Sequence, residues 1–128
     1  MRTVSIRTAH AHCDLPCGVY DPAQARIEAE SVKACQEKFA ASDDPLFRER
    51  AVAIKEGRAD LVKHHLWVLW TDYFKPEHLE AHPELHELFW KATKEAGAAK
   101  KSVDPAQGLK LLDAIDQIAE IFWATKAA

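Results

Sequence analysis

Two cysteines and a histidine lie close together near the beginning of the 128-residue chain. The stretch HCDLPCGVYDP begins at His12, which adjoins Cys13, and three residues separate Cys13 from Cys17. Pro16 and Gly18 favour a bend, which would turn both sulfur atoms towards a common point. Two thiolates and one imidazole within this short stretch form a candidate metal site.

This donor set is incomplete for a structural zinc site, which usually takes four protein ligands. If His12 were the first residue, its free amine and the amide nitrogen of Cys13 would complete a planar set with the thiolates of Cys13 and Cys17. Square-planar nitrogen and sulfur donors suit Ni(II) or Cu(II), and the His12 imidazole would be free to bind axially. A simple disulfide or an inert pair of cysteines is the alternative.

The third cysteine and the other histidines do not extend this site. Cys35 lies on a predicted apolar helix stripe, so we expect it to be a small buried side chain. His78, His82 and His86 recur every four residues, but Pro83 interrupts the continuous helix that would align them. We expect these histidines to be solvated or hydrogen-bonded in the core.

Composition predicts one globular domain without a nucleic-acid or membrane partner. Apolar residues make up 48% of the chain, and the formal net charge is −3 without a long basic stretch. No apolar run approaches the roughly 20 residues that span a bilayer. Residues 1–11 lack the apolar segment of a secretory signal, so we expect a cytoplasmic protein.

Three Asp-Pro pairs mark helix starts, because the Asp carboxylate caps free amide groups and Pro tolerates the first helical position. A fourth start is expected at Pro83-Glu84. Four amphipathic helices with short connections predict an all-α fold, an antiparallel four-helix bundle with an irregular N-terminal metal-binding segment. The three pairs are Asp21-Pro22, Asp44-Pro45 and Asp104-Pro105, and the predicted helices cover residues 22–41, 45–73, 83–99 and 105–126.

Residues spaced by three and four along three of these helices are expected to form their buried faces. Glu28 interrupts the stripe of the first helix, and Arg58 interrupts that of the second. Isolated charges are costly in a core, so charged residues on facing stripes often pair; the alternative is that both reach solvent. The stripes are Ala25, Glu28, Val32, Cys35 and Phe39 in the first helix; Phe47, Ala51, Ile54, Arg58, Leu61, His65 and Val68 in the second; and Leu111, Ile115, Ile118 and Phe122 in the fourth.

The segment from His12 to Pro22 resembles the nickel hook of nickel superoxide dismutases. The resemblance covers essentially the whole chain from His12 onwards. It implies a homohexamer of four-helix bundles with one nickel ion per subunit. The implied reaction converts superoxide to O2 and hydrogen peroxide by Ni(III)/Ni(II) cycling. The further stretches that resemble the family are residues 23–37, 63–65, 70–76 and 121–126.

The same resemblance implies a role for each residue of the hook. Nickel would be held by the His12 amine, the Cys13 amide, and the thiolates of Cys13 and Cys17, with the His12 imidazole axial in the oxidised state. Asp14, Pro16 and Gly18 would shape the hook, and the Leu15–Pro16 bond is expected to be cis.

Residues outside the hook also acquire roles through the resemblance. Glu28 and Arg58 would orient the His12 imidazole, since groups that bond a ligand fix its orientation. Tyr20 and Tyr73 would lie near the approach to nickel. Lys75 is a candidate for attracting the superoxide anion, although it could equally be an ordinary solvated lysine.

Family precursors carry N-terminal extensions that a protease removes. Residues 1–11 are therefore expected to be a leader, and residues 12–128 the enzyme domain. An amide-linked His12 has no free amine, so the chain is expected to be inactive until it is cut between Ala11 and His12.

Two other functions use the same residues. The chain could be a non-catalytic nickel- or copper-binding protein, or a thiol redox sensor that uses Cys13 and Cys17. A metal chaperone would not need Glu28 and Arg58 to support an axial ligand, and a thiol sensor would not need His12 at a cleavable N-terminus. A helical bundle with a degenerate hook is disfavoured because all the hook residues are present.

Overall fold

The computed structural model describes residues 18–127, which fold into a bundle of four long helices. The elements are α1 (Ala23–Ala40), α2 (Pro45–Val68), a π-helical turn (Leu69–Tyr73), α3 (Pro76–Ala81), α4 (Leu85–Lys101) and α5 (Pro105–Ala127). Each long helix packs against two others, in the order α1, α2, α4, α5 and back to α1, so the four surround one core. This confirms the predicted fold class. No helix among the described residues has both the length and the apolar character needed to cross a membrane.

The Asp-Pro pairs begin helices as predicted, because each aspartate accepts a hydrogen bond from a backbone amide two residues later. The three amide-to-carboxylate distances are 2.8, 3.1 and 2.9 Å. In chain order, the carboxylates are those of Asp21, Asp44 and Asp104, and the amides are those of Ala23, Leu46 and Ala106.

The second helix does not continue as an α-helix to Tyr73, contrary to the prediction. It changes at Leu69 into a π-helical turn, in which the Phe74 N–H donates to the Leu69 carbonyl five residues back at 3.0 Å. The neighbouring residues Tyr73 and Phe74 both pack on Phe122 of α5, with ring centroids 4.4 and 6.4 Å away. The turn ends at Phe74, whose backbone is extended, so these two consecutive aromatic residues lie at the junction where α2 stops.

The segment between Phe74 and His82 contains α3, which the sequence pattern did not predict. Pro76 occupies its first position, and the Lys75 N–H donates to His78 Nδ1 at 3.0 Å. A six-residue helix is too short to show a periodic apolar pattern. The fourth start is nearly correct, since α4 begins at Leu85, two residues after Pro83.

The predicted buried face of the second helix is largely wrong. Phe47, Ile54 and Leu61 are 40%, 47% and 38% exposed in this chain. The face is rotated because Lys55 serves as a core residue. Its stem is buried, and its ammonium donates to the carbonyls of Lys100 and Ser102 at 2.7 Å each. The buried residues of α2 are Ala51, Lys55, Ala59, Val62, Leu66 and Val68.

The predicted buried faces of α1 and α5 agree better with the structure. All four predicted residues of α5 are buried, which confirms that face. On α1, Ala25 and Val32 are buried, but Cys35 is only half-buried, so its expected burial is wrong. Ala29 and Gln36 take the remaining core positions. A glutamine is tolerated there because its amide donates to the Ala99 and Ser102 carbonyls, at 3.3 and 3.1 Å.

Gly108 lets α5 approach α1 closely, which gives a test of the packing. A Cβ atom at this position would lie 2.5 Å from Gln36 Oε1 and 3.0 Å from the Lys33 Cα atom. We expect Gly108→Ala to lower the free energy of unfolding by about 1–3 kcal/mol, because the backbone of α1 must move. Denaturant unfolding at one protein concentration measures this.

Gly57 provides the matched control. It is a helical glycine of α2, and a Cβ atom there would meet no atom of another element within 4 Å. Gly57→Ala is expected to raise stability by up to about 1 kcal/mol, since alanine favours helix. Equal effects of the two substitutions would contradict the close packing of α1 and α5.

Candidate metal centre and substrate approach

The expected nickel-binding segment lies at the entrance to α1, and most of it falls outside the described residues. Gly18 is the first described residue and adopts a φ of +71°. This left-handed conformation strains any residue with a Cβ atom, so glycine suits this position. The predicted site residues outside the described range are His12, Cys13, Asp14, Pro16 and Cys17, and the Leu15–Pro16 bond lies outside it as well.

Tyr20 holds the end of this segment against the bundle. Its ring lies 5.5 Å from that of Tyr73, with the two planes inclined at 56°. Both rings are partly buried and pack against the hydrophobic core. Because Tyr20 belongs to the stretch from His12 to Pro22, this contact places the described end of the candidate hook beside Tyr73.

Tyr73 lies in an aromatic cluster formed by three elements. His78 of α3 stacks on it at 5.7 Å with an interplanar angle of 12°, and Phe122 of α5 packs at 4.4 Å. The Lys126 ammonium lies 5.2 Å from the centre of the ring, which places a positive charge beside this tyrosine. Sequence reasoning singled out Lys75 as the cation here and did not identify Lys126.

Thr125 is a second residue that sequence reasoning did not identify. Its hydroxyl lies 2.8 Å from the Tyr73 hydroxyl, although 52 positions separate the two residues. Both Thr125 and Lys126 belong to the stretch 121–126 that resembles the family, but no local pattern indicated their contact with Tyr73.

Glu28 and Arg58 meet between α1 and α2. The Arg58 Nη1 atom donates to both carboxylate oxygens of Glu28, at 3.1 and 3.3 Å. The pair is buried on one side only, since the side chain of Glu28 is 17% exposed and that of Arg58 is 46% exposed. One guanidinium nitrogen leaves further lone pairs on the carboxylate, so Glu28 can accept another hydrogen bond.

Two of the three evenly spaced histidines accept hydrogen bonds, each from a different partner. His78 accepts from the Lys75 amide at 3.0 Å, and His86 accepts from the indole of Trp70 at 2.9 Å. His82 follows the end of α3, and Pro83 separates it from α4, as expected. Within residues 18–127, no three His, Cys, Asp or Glu side chains are arranged to hold a metal.

Cys35 is a poor nucleophile in this environment. Burial raises the pKa of its thiol, and the positive charges of Arg58, Lys38 and Lys55 oppose this shift without reversing it. The thiol therefore stays protonated near neutral pH. Since the thiolate is the species that binds metals and reacts, Cys35 is unsuited to either role.

Comparison with known proteins assigns the chain to a protein family. A family model described as nickel-containing superoxide dismutase matches residues 7–126. The chain belongs to the nickel-containing superoxide dismutase family. It is accordingly an oxidoreductase that converts superoxide to O2 and hydrogen peroxide, with nickel as its cofactor.

Two curated relatives of this nickel superoxide dismutase chain come from Streptomyces, and both are named superoxide dismutase [Ni]. The protein of Streptomyces coelicolor (strain ATCC BAA-471 / A3(2) / M145) is 66% identical over 121 residues, which cover 94% of this chain and 92% of the relative. That of Streptomyces seoulensis is 69% identical over 118 residues, covering 92% and 90%. The native 1.30 Å structure of a nickel superoxide dismutase matches with a TM-score of 0.90 and 67% identity, over 91% of this chain and all of that chain.

The donor residues of this chain fit nickel. Two thiolates with nitrogen donors from a histidine residue and a backbone amide form a set that square-planar Ni(II) favours. The described surroundings suit such a segment, because Gly18 permits a turn immediately after Cys17 and Tyr20 fixes the chain two residues later. A small anionic substrate needs no large shaped pocket, and positive charge near its path is sufficient to raise the encounter rate.

Proposed function

We propose that the active enzyme begins at His12 and binds one nickel ion per chain through its N-terminal hook. Nickel would be held by the His12 amine, the Cys13 amide nitrogen, and the thiolates of Cys13 and Cys17, and the His12 imidazole would be a further ligand in the oxidised state. When bound, nickel supplies a one-electron Ni(III)/Ni(II) couple, so that one superoxide is oxidised to O2 and another, with two protons, is reduced to hydrogen peroxide. The contact of Tyr20 with Tyr73 carries the proposal, because it fixes the end of the hook against the bundle.

The length of the solved relative supports removal of residues 1–11. All of that chain is matched by 91% of this one, and the unmatched share is comparable in size to the proposed leader. Cleavage between Ala11 and His12 by a processing protease would release the amine. Within the hook, Asp14, Pro16 and Gly18 shape the turn.

Glu28 and Arg58 would set the orientation of the His12 imidazole. Glu28 is the better placed of the two to bond the ring, because its carboxylate is largely shielded from water and keeps acceptor capacity beyond the bond to Arg58. Arg58 in turn fixes the carboxylate, because its Nη1 atom donates to both oxygens. A hydrogen bond from the imidazole N–H to Glu28 would fix the tautomer and raise the basicity of the ring.

Tyr20 and Tyr73 would border the path of superoxide to nickel. Their partly buried rings limit access, while their hydroxyls can order the water that supplies protons. Lys126, whose ammonium lies on the Tyr73 ring, and Lys75 would supply the positive charge that attracts the anion.

Substitution of Glu28 tests the role of the axial histidine. In nickel-loaded protein beginning at His12, we expect Glu28→Gln to lower turnover about 10–100-fold while nickel content stays near one per chain. The matched control is Glu30→Gln on the same helix, because Glu30 is exposed and pairs with Arg26 instead. Nickel content by atomic absorption and superoxide decay by stopped flow give the two values separately.

Either of two outcomes would contradict this role. Equal turnover in the two variants would mean that Glu28 does not orient the ligand. Loss of nickel in parallel with turnover would mean that Glu28 retains the metal instead. If the parent and both variants bind nickel but do not accelerate superoxide decay, the result would favour a non-catalytic metal-binding protein or a thiol sensor.

We further propose that the chain assembles as a homohexamer in the cytoplasm. Phe47, Ile54 and Leu61 form an exposed apolar line on α2. This line supports self-association, because contact with another subunit would remove these apolar side chains from water. Light scattering is expected to give six times the 14.4 kDa chain mass. A monomer at micromolar concentration would contradict the assembly.

A further inference from the structure

The hydroxyl of Tyr73 forms a hydrogen bond with Thr125 of α5, and the donor in this bond can be determined. Tyr73 Oη lies 2.8 Å from Thr125 Oγ1, and Thr125 Oγ1 lies 2.6 Å from the Phe122 carbonyl oxygen. A carbonyl oxygen only accepts, so the single hydroxyl proton of Thr125 is donated to Phe122. Thr125 must then accept from Tyr73, and the Tyr73 proton is directed at α5.

The rest of Tyr73 is held by packing. Phe122 and His78 contact its ring at 4.4 and 5.7 Å, and Tyr20 approaches it at 5.5 Å. The π-helical turn that ends α2 carries the residue into this cluster. Rotation of the hydroxyl is therefore the freedom that remains to this side chain, and the bond to Thr125 removes it.

We propose that Thr125 is a positioning residue that fixes the hydroxyl of Tyr73 at the substrate approach. This inference rests on the proposed function, in which Tyr73 borders the path of superoxide. With its proton committed to Thr125, the Tyr73 oxygen acts as an acceptor. It can bind a water O–H and so orient that water, but it does not itself donate to the incoming anion.

The chain offers a direct way to observe this hydroxyl, since Tyr20 and Tyr73 are its two tyrosines. Protein labelled with 13C at the tyrosine ring carbon that bears oxygen gives two NMR signals, which Tyr20→Phe and Tyr73→Phe assign. In the parent protein, the hydrogen bond should slow the exchange of the Tyr73 hydroxyl proton with water. We expect Thr125→Val to shift the Tyr73 signal and to make this exchange fast. Thr125→Ser, which keeps the hydroxyl, is expected to restore both features.

Turnover of the nickel-loaded enzyme is the second readout. We expect Thr125→Val to lower kcat about fivefold, the equivalent of one neutral hydrogen bond, in protein whose circular dichroism shows the helical fold retained. Thr125→Ser should restore the rate, and Thr125→Val should add no further loss to Tyr73→Phe. The matched control is Thr71→Val, because the Thr71 hydroxyl donates to the Trp67 carbonyl at 2.7 Å instead. This control should keep the parent rate and the parent Tyr73 signal.

The outcomes separate this inference from the proposed function. An unchanged Tyr73 signal in Thr125→Val would overturn the hydrogen bond. A shifted signal with unchanged turnover, while Tyr73→Phe is slow, would overturn the positioning role and leave Tyr73 in place. If Tyr73→Phe itself turns over as fast as the parent, the role of Tyr73 in the proposed function fails.

Discussion

Replacement of Cys13 or Cys17 by serine is expected to reduce superoxide dismutation to the level of the metal-free protein. Hydrated Ni(II) is hard to oxidise, and anionic thiolate donors are what bring the Ni(III)/Ni(II) couple into range. A serine hydroxyl stays protonated near neutral pH and is a poor donor to this metal. Nickel content and superoxide decay, measured on the same preparation, test both parts of the expectation.

Cys35→Ser is the matched control for these substitutions. Cys35 is half-buried on α1, and its raised pKa keeps the thiol protonated, so this variant should keep nickel and activity. Loss of activity in Cys35→Ser as severe as in the hook variants would contradict the assignment. So would full activity in Cys13→Ser or Cys17→Ser.

A blocked amine at His12 is expected to abolish activity just as completely. In the uncut chain this nitrogen is part of a peptide bond, so the free amine of the proposed ligand set is missing. A chain that begins at Ala11 should behave like the uncut chain, although it differs from the active form by one residue. Stopped-flow decay of superoxide measures this with three nickel-loaded forms: the uncut chain, the chain beginning at Ala11 and the chain beginning at His12.

The form beginning at Ala11 serves as the decisive control for the leader. It removes the bulk of the leader but leaves the nitrogen of His12 blocked. Activity in this form would show that the leader obstructs the site sterically and that the free amine is not a ligand. Activity in the uncut chain would contradict both explanations.

The helix starts were predictable from sequence because their causes are local. Each aspartate of the Asp-Pro pairs accepts from an amide two residues away, so a short stretch of chain contains the whole interaction. The face of α5 was equally clear, since apolar residues fill it and few charges compete. The interruptions at Glu28 and Arg58 left open a pair or two solvated charges, and the structure shows a pair in which Arg58 is still exposed.

The features that escaped prediction depend on distant parts of the chain. The face of α2 was misplaced because Lys55 looks like a surface residue, and only the carbonyls at the end of α4 make it a core residue. The π-helical turn carries Tyr73 onto Phe122, which lies far along the chain. The contact of Thr125 with Tyr73 joins residues 52 positions apart, and no local pattern encodes it.

The candidate site divides in the same way. The types and spacing of His12, Cys13 and Cys17 indicated a candidate metal site, and the resemblance to nickel superoxide dismutases implied the hook. The ligand roles of these residues stay predictions because they lie outside residues 18–127. The surroundings of Tyr73, by contrast, could be described only once α2, α3 and α5 were placed together.

The most direct test of nickel-dependent dismutation is a titration of the metal-free protein that begins at His12. Superoxide decay is measured by stopped flow as nickel is added, with zinc as the redox-inactive comparison. The rate is predicted to rise in proportion to bound nickel, to level off at one nickel per chain, and to stay at background with zinc. Stoichiometric binding of nickel without superoxide decay, or equal decay with zinc, would contradict the account.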